Sequence, residues 1–354
     1  MKPVRVLVVE DSLTVRRRLR EVLDADSEIE VVGEAGDGRH AIELCAALRP
    51  DVITLDMMLP VMSGLAATEY IMAYCPTPIL IVSASTNRGE LFKTYEALAA
   101  GALDVMEKPL GGDGDPGWER RLVSTVKLLA RVRTITHLRG RTGVPGSARV
   151  PVEGEPHAGQ SQRFRLVALG ASTGGPGAIR QILLDLPRGF PLPILAVLHI
   201  GEPFGTAFAE WLDGQTPHRV RFAREGEAPG PGLWLAPPGR HLVLRGGATH
   251  FSDAPERYSC RPSADELFES VAREVGDAAL ACLLTGMGRD GASGLLQIRN
   301  AGGATIAQDE ESCVVYGMPR EAVLIGAAER VLPLRAIGAA LAASAQQAAT
   351  VSRA

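Results

Sequence analysis

The stretch Leu166-Val167-Ala168-Leu169-Gly170-Ala171-Ser172-Thr173-Gly174-Gly175 decides the fold of the second half of the chain. It begins with an apolar run, passes through small and hydroxyl residues, and precedes a helical pattern from Ala178 to Leu186. This order predicts a strand, a tight glycine turn and a helix, with Ser172 beside the helix N-terminus. Backbone N–H groups there can stabilise a developing oxyanion, which a serine nucleophile needs together with a base.

Short apolar runs alternate with helical patterns throughout the second half. The predicted strands there are Arg165–Leu169, Pro193–His199, Arg219–Phe222, Leu233–Ala236, His241–Arg245, Ala279–Leu284 and Thr305–Ala307. The alternation predicts an α/β domain with a mostly parallel sheet. Turns at 237–239 and 246–247 indicate an antiparallel hairpin on that sheet, and an alanine-rich helix from Leu334 to Ala349 ends the domain.

The first half shows the same alternation. Its predicted strands are Val4–Val9, Glu30–Gly33, Asp51–Leu55, Pro78–Ser83 and Asp104–Met106. Its predicted helices are Thr14–Leu23, Gly38–Leu48, Gly64–Met72, Arg88–Ala99 and a closing helix from Trp118 to about Leu138. The pattern predicts a second α/β domain, doubly wound and flavodoxin-like.

A segment without apolar periodicity separates the two halves. Residues 139–163 are rich in Gly, Pro, Ser and charge, which is typical of a flexible linker. We therefore expect an N-terminal domain at 1–128, the end of the closing helix and the linker at 129–163, and a catalytic domain at 164–350. The length of 354 residues suits two domains.

Composition excludes several classes of protein. A formal charge of −4 argues against nucleic acid or an anionic membrane as the main partner. The five cysteines form no C-x-x-C pair, which favours a reduced, cytoplasmic protein. We see no signal peptide and no apolar run near the roughly 18 residues that span a bilayer. We therefore expect a cytoplasmic monomer without membrane insertion.

Ser172 needs a base, and the histidines differ in their suitability for that role. His199 ends an apolar run and so lies at a strand's carboxyl end, on the same sheet edge as Ser172. His241, which follows a turn and begins a strand, is the alternative base. His218 and His250 lie in polar turns, and we expect them to face solvent.

A third group should orient the imidazole, and Asp290 lies just past another strand end in the glycine-rich loop 285–291. The alternative for Asp290 is an ordinary turn aspartate. Residues 170–174 match the G-x-S-x-G pattern of α/β-hydrolases. The order Ser172, His199, Asp290 along the chain differs from the order in those enzymes, so this match alone does not assign that fold.

In the first half, charged and hydroxyl residues follow successive strands. Glu10 and Asp11 end the first strand, Asp56 the third and Ser83 the fourth, and Lys108 follows the fifth. Carboxylates gathered at one sheet edge are expected to share a cation, and oxygen ligands suit Mg²⁺. Asp56 could then attack a phosphoryl donor, with Ser83 and Lys108 contacting the phosphoryl oxygens. The alternative for each is an ordinary solvated loop residue.

This set resembles the response-regulator receiver domain. The resemblance covers roughly residues 3–128 and includes the runs 56–60 and 108–109 and Gly64. It implies that Asp56 is the phosphoacceptor, that Glu10 and Asp11 help it bind Mg²⁺, and that Ser83 and Lys108 form the phosphate switch. It also implies a cis bond before Pro109. Glu10 departs from the family, where many members have a second aspartate.

The second half, taken together with such a receiver, resembles the chemotaxis-type protein-glutamate methylesterase family. The matching segments are 170–175, His199, 236–241, 261–263, 284–291 and 312–319. The resemblance implies a Ser172, His199 and Asp290 triad supported by Thr173 and Met287, without a cofactor in the catalytic domain. We expect the Met287 backbone N–H to be an oxyanion donor.

The resemblance implies a function and its partners. The reaction would be hydrolysis of glutamate methyl esters on chemoreceptor cytoplasmic helices, with deamidation of receptor glutamine. A chemotaxis-type histidine kinase would phosphorylate Asp56 and relieve a block by the receiver. Arg240 and Arg261 (and Arg289) could bind the acidic receptor segments, or they could be solvated surface arginines.

Three other functions remain open at this point. A DNA-binding response regulator would need a basic helix-turn-helix module after the linker, where the chain instead has an α/β pattern. A non-catalytic receiver–hydrolase scaffold is the second possibility. The third is the same enzyme in a chemotaxis-like pathway that does not control motility.

Overall fold

A computed structural model describes residues 2–84, 88–108, 115–132, 164–201 and 204–350. These residues form two compact units, one on each side of residues 133–163. The predicted linker and the bond before Pro109 lie outside the described residues. No helix within the described ranges is both long enough and apolar enough to cross a membrane.

The described residues of the first unit form five strands and five helices in strict alternation. The strands are β1 (Val4–Val9), β2 (Ile29–Ala35), β3 (Val52–Leu55), β4 (Ile79–Ser83) and β5 (Asp104–Glu107). The helices are α1 (Leu13–Asp24), α2 (Gly38–Leu48), α3 (Gly64–Tyr74), α4 (Arg88–Ala100) and α5 (Pro116–Leu129). The sheet is parallel in the order β2-β1-β3-β4-β5, which confirms the doubly wound, flavodoxin-like prediction.

Hydroxyl and carboxylate side chains cap the N-termini of three helices in this unit. Ser12, Asp37 and Ser63 accept hydrogen bonds from the first-turn amides of α1, α2 and α3. Because each helix follows a strand, these caps bring the chain back from the carboxyl edge of the sheet. That edge carries Glu10 and Asp56.

The closing helix is shorter than predicted. It ends at Leu129 instead of near Leu138, because the amides of Arg131 and Val132 bond to carbonyls three residues back. The apolar residues at helical spacing continue in the sequence to Val132, and a prediction from this spacing alone therefore placed the end of the helix too late.

The second unit contains nine strands and six helices among the described residues. The strands are β6 (Leu166–Ala171), β7 (Pro193–Leu198), β8 (Val220–Phe222), β9 (Gly232–Leu235), β10 (His241–Arg245), β11 (Ala248–Ser252), β12 (Ala279–Leu283), β13 (Ala304–Gln308) and β14 (Arg330–Leu332). The helices are α6 (Gly175–Asp185), α7 (Phe204–Gln215), α8 (Ala264–Glu274), α9 (Ala292–Asn300), α10 (Met318–Leu324) and α11 (Leu334–Thr350).

The main sheet of this unit is parallel throughout, in the order β14-β13-β12-β6-β7-β9-β8. The predicted antiparallel hairpin is β10–β11, which forms a two-stranded sheet of its own. The turn at 237–239 leads out of the main sheet and does not join hairpin strands. The prediction of a mostly parallel α/β sheet with one antiparallel hairpin is therefore confirmed.

The strand before the serine ends two residues later than predicted. Gly170 and Ala171 belong to β6, so the turn starts at Ser172. A Cβ on Gly170 would lie 2.9 Å from the Ala264 Cβ and 3.0 Å from Leu283 Cδ1. A glycine is needed there because the start of α8 packs directly against this strand, and Leu267 and Phe268 of α8 are fully buried.

Candidate functional site

Three neighbouring strand ends bring Ser172, His199 and Asp290 to one edge of the main sheet. β6 lies between β12 and β7, so the segments that follow these strands are adjacent. The Ser172 amide donates to the Thr285 carbonyl at 3.0 Å, and the His199 amide donates to the Ala171 carbonyl at 3.1 Å. The sheet therefore fixes the backbone on both sides of Ser172.

Glycines permit the close approach of backbone around the serine. A Cβ on Gly286 would lie 2.7 Å from the Ser172 Cβ. Gly174 has a φ of +76°, and a Cβ there would lie 2.6 Å from Val314 Cβ. The turn after β6 thus needs glycine for both its conformation and its space.

His199 and Asp290 form a direct hydrogen bond. His199 Nε2 lies 2.8 Å from Asp290 Oδ2. Burial by itself would lower the pKa of His199, but hydrogen bonds with Asp290 and Cys260 raise it to about 9. The carboxylate therefore stabilises the imidazolium, as expected for a group that orients a general base.

The start of α8 holds Asp290 in place. Asp290 Oδ1 accepts from Ser263 Oγ at 2.6 Å, and Oδ2 accepts from the Ala264 amide at 2.6 Å. Burial would raise the pKa of Asp290, but its bonds with His199, Ser263 and Ala264 keep that pKa below the usual value. The carboxylate is thus buried, charged and fixed in orientation.

Cys260 is a site residue that sequence reasoning missed. Its Sγ lies 3.6 Å from Nδ1 of His199, on the side of the ring opposite Asp290. It sits in a tight turn in which the amides of Arg257 and Cys260 donate to each other's carbonyls, at 3.2 and 2.8 Å. No glycine or asparagine occupies that turn, so the sequence carried no signal for it.

The triad also requires a hydrogen bond between Ser172 and His199, and this bond is not formed. Within residues 164–201 and 204–350, no hydrogen bond joins Ser172 Oγ to His199. Nδ1 is the imidazole nitrogen that Asp290 leaves available, and it faces Cys260. Ser172 itself is half-buried at the neighbouring strand end.

The remaining histidines are less suited to serve as the base. His241 is fully buried, its Nδ1 accepts from the Ser263 amide at 3.1 Å, and its Nε2 lies 3.3 Å from the Pro255 carbonyl. Both of its ring nitrogens therefore have partners. The expectation that His218 faces solvent is wrong, because His218, in the segment between α7 and β8, is buried. His250 lies in β11 and pairs with Glu225 at 2.7 Å.

The two support residues flank the serine. The carbonyl of Thr173 accepts from Thr285 Oγ1 at 2.9 Å, which ties the serine turn to the loop after β12. Met287 is exposed in that loop, and its N–H donates to no backbone carbonyl of the described residues.

The arginines are exposed and have local partners. Arg240 pairs with Asp253 at 2.9 Å and lies over the ring of Phe251. Arg261 donates to the Ala254 carbonyl at 3.4 Å. Arg289 lies 4.8 Å from the centroid of the Tyr258 ring.

A second cluster lies at the carboxyl edge of the first unit's sheet. Lys108 Nζ lies 2.8 Å from both Glu10 Oε2 and Asp56 Oδ2. Glu10 and Asp56 are buried, whereas Asp11 is exposed. Ser83 is buried on the adjacent strand, and its carbonyl accepts from the Lys108 amide at 3.0 Å.

The acidic members of this cluster fit a divalent cation. Oxygens of Glu10, Asp11 and Asp56 lie within 4.8 Å of one another. Burial raises the pKa of Glu10 to about 7, and the nearby Asp56 carboxylate adds to the rise, against the hydrogen bond from Lys108. An additional positive charge would relieve this repulsion, and carboxylate oxygens are ligands that Mg²⁺ prefers.

Comparison with known proteins gives two family matches along the chain. Residues 167–341 match the model of the CheB methylesterase, and residues 6–114 match the model of the response regulator receiver domain. A protein-glutamate methylesterase/protein-glutamine glutaminase of Nitrosospira multiformis is 44% identical over 347 residues, which cover 96% of each chain. One of Myxococcus xanthus is 44% identical over 330 residues and 92% of each chain.

A solved structure is also similar to part of the chain. The crystal structure of the Thermotoga maritima CheB methylesterase catalytic domain is 34% identical, with a TM-score of 0.49, and the match covers 51% of this chain and 98% of that one.

Proposed function

Because the chain belongs to the family of protein-glutamate methylesterases and glutaminases that carry a receiver domain, we propose that it hydrolyses glutamate methyl esters on chemoreceptors under control by phosphorylation. The observation that carries the catalytic part is the bond between His199 Nε2 and Asp290 Oδ2, 2.8 Å long, beside the strand end that holds Ser172. We further propose a receiver domain at 1–128 and a catalytic domain at 164–350; the family matches over 6–114 and 167–341 lie inside these two ranges.

The reaction begins at Ser172. Its Oγ attacks the ester carbonyl carbon, and Nδ1 of His199 takes the hydroxyl proton while Asp290 stabilises the imidazolium. His199 then gives this proton to the departing methoxide, which leaves as methanol. Nδ1 is assigned this role because Asp290 occupies Nε2.

Water completes the cycle. His199 takes a proton from water, the hydroxide attacks the acyl-enzyme, and the proton returns to Ser172 as glutamate leaves. A glutamine side chain reacts by the same steps with ammonia as the leaving group. The N–H of Met287 is a suitable oxyanion donor, since it is exposed and donates to no backbone carbonyl of the described residues, and Thr173 positions the turn.

Phosphorylation belongs to the first unit. Glu10, Asp11 and Asp56 would hold Mg²⁺, which supplies charge neutralisation at the phosphorylation site when bound. Asp56 attacks the phosphoryl group, Lys108 pairs with its oxygens, and Ser83 donates a hydrogen bond to it. Lys108 already reaches Asp56 at 2.8 Å, which supports this assignment.

The partners follow from this scheme. A chemotaxis-type histidine kinase donates the phosphoryl group in the cytoplasm, and the methylated helices of chemoreceptors are the substrate. Arg240 and Arg261, both exposed on the second unit, attract the acidic receptor segments. Phosphorylation of Asp56 relieves inhibition of the esterase by the receiver.

Methanol release from methylated receptor tests the catalytic assignment. Ser172→Ala and His199→Gln are expected to lower kcat on the order of 10⁴-fold or more. Ser344→Ala in α11 and His250→Gln in β11 are matched controls, because both residues are remote from the three strand ends in sequence and have partners of their own. Near-normal release by Ser172→Ala contradicts the mechanism, and no release by the folded wild-type chain favours a non-catalytic scaffold.

A further inference from the structure

A cysteine and a histidine at the candidate site are separated like two ligands of one metal ion. Cys260 Sγ lies 3.6 Å from Nδ1 of His199. Zinc binds sulfur at about 2.3 Å and nitrogen at about 2.0–2.1 Å, and a tetrahedral angle between those bonds places the two ligand atoms about 3.6 Å apart. A thiolate and an imidazole are also the ligand types that zinc prefers.

The hydrogen bond with Asp290 orients the imidazole so that its other ring nitrogen can bind such an ion. In zinc sites the ring nitrogen that does not bind the metal commonly donates to a carboxylate, which fixes the tautomer. Nε2 of His199 lies 2.8 Å from Asp290 Oδ2, and Ser263 and Ala264 prevent that carboxylate from turning away. The lone pair of Nδ1 is thereby directed toward Cys260.

The turn that carries Cys260 is anchored. Arg257, at the other end of that turn, pairs with Glu269 at 2.8 Å and with Glu266 at 3.2 Å, both on α8. The same helix holds Asp290 at its first residues. Both proposed ligands are therefore positioned from α8, and little rearrangement is needed to bind an ion.

We propose that Cys260 Sγ and His199 Nδ1 bind Zn²⁺ and that bound zinc inhibits ester hydrolysis. Binding replaces the thiol proton, which passes to solvent, with a sulfur–zinc bond, and water completes the coordination. The inhibition rests on the proposed function, because zinc occupies the nitrogen that takes the Ser172 proton. The binding does not depend on it.

Competition with a chromophoric chelator tests the binding in the full chain. The reduced protein is titrated with ZnCl₂ in excess Mg²⁺, which occupies the acidic cluster of the first unit. We expect Cys260→Ala and His199→Gln to weaken zinc binding at least about tenfold. Cys260→Ser, which keeps the size of the side chain but replaces the soft sulfur ligand, should do the same, and circular dichroism checks that each variant is folded.

Cys75→Ala is the matched control, because Cys45 and Cys75 form a close thiol pair in the first unit, with their Sγ atoms 3.5 Å apart. We expect Cys75→Ala to bind zinc like the wild type. Loss of binding in Cys75→Ala with retention in Cys260→Ala and Cys260→Ser overturns the proposal, as does equal binding by all variants.

Methanol release gives the second readout. Zinc should inhibit the wild type reversibly, and the inhibition curve of Cys260→Ala should shift to at least about tenfold higher zinc concentration. Superimposable curves overturn the inhibitory part. A chain that binds zinc through Cys260 but releases no methanol without zinc refutes the proposed function and leaves the zinc site standing.

Discussion

At the residue scale, His199 has two partners that both favour its charged form. Asp290 orients Nε2, and Cys260 lies against Nδ1. The meeting of His199 with Asp290 was predictable, because both follow strands that flank β6 in a parallel sheet. The position of Cys260 beside His199 was not predictable, because Cys260 reaches the site through a turn with two non-glycine residues at positive φ, Tyr258 at 51° and Ser259 at 61°. Such a turn has no sequence signature.

The raised pKa of His199 predicts an alkaline pH optimum for the esterase. A general base must be neutral to take the Ser172 proton, and a pKa of about 9 leaves most imidazole charged at pH 7. The rate of methanol release should therefore increase from pH 7 toward pH 9. Removing Cys260 removes one cause of the raised pKa, so Cys260→Ala should reach its plateau at lower pH.

The measurement is a pH profile of kcat/KM with a zinc chelator present. Cys313→Ala is the control, since Cys313 is half-buried in the loop before α10 and its Sγ contacts the Gln308 carbonyl. A Cys260→Ala profile that coincides with the wild type would show that the thiol does not influence the base.

Ser263 is expected to position Asp290. It is fully buried, its Oγ donates to Asp290 Oδ1 at 2.6 Å, and the same Oγ caps α8 by accepting from the Glu266 amide. Ser263→Ala should lower the free energy of unfolding by about 1–3 kcal/mol. It should also lower kcat by roughly tenfold or more with little change in KM, because the imidazole loses its fixed orientation.

Ser63→Ala is the matched control for Ser263→Ala. Ser63 caps α3 in the first unit by accepting from the Ala66 amide, so its loss is expected to weaken stability by about 0.5–2 kcal/mol. Because Ser63 belongs to the first unit and not to the catalytic machinery, Ser63→Ala should leave kcat unchanged. If the two variants have the same kcat, Ser263 acts only as a helix cap.

At the element scale, the alternating pattern and the short edge strand β8 were predictable, whereas β14 was missed and β11 was implied only by the turn at 246–247. β14 has three residues and β11 alternates polar side chains, so neither carries an apolar run. Both exist because a neighbour pairs with them: β13 pairs with β14, and β10 with β11. The partner of β14 is separated from it by α10, and local periodicity does not encode such a pairing, whereas β11 is joined to its partner by a two-residue turn.

The glycines after β6 should differ in their tolerance of alanine: Gly174 lies in the turn, and Gly177 lies in the first turn of α6. Gly174→Ala places a Cβ 2.6 Å from Val314 Cβ at a φ of +76°. We expect a loss of about 1–3 kcal/mol in unfolding free energy and a lower kcat, because Ser172 lies in the same turn. Gly177→Ala, three residues on, meets nothing within 4 Å and should be neutral or stabilising by about 0.4–1 kcal/mol. Thermal unfolding and methanol release of the two variants, measured side by side, check this contrast.

At the scale of the whole molecule, the chain contains a receiver domain followed in sequence by a methylesterase domain. Two domains and their classes were predictable, since each half repeats the β/α alternation and the segment between them lacks it. The influence of one domain on the other could not be predicted in the same way. It is a coupling free energy between two domains, and no sequence periodicity encodes that quantity.

Phosphorylation should raise esterase activity in the full chain and not in the catalytic half. With Mg²⁺ and a small phosphodonor, methanol release by the full chain should increase, because in the proposed function phosphorylation of Asp56 relieves inhibition of the esterase by the receiver. Asp56→Asn or a chelator should abolish the increase. Asp51→Asn should not, since Asp51 is exposed at the opposite end of the same strand and its side chain accepts from the Arg5 amide.

Residues 164–354 alone provide the complementary measurement. If the receiver inhibits the esterase, this fragment should be more active than the unphosphorylated full chain and insensitive to the phosphodonor. Equal activities of the fragment and the unphosphorylated chain would exclude inhibition in cis. A phosphodonor effect on the full chain would then have to come from activation by the phosphorylated receiver, because no restraint would exist for the phosphoryl group to remove.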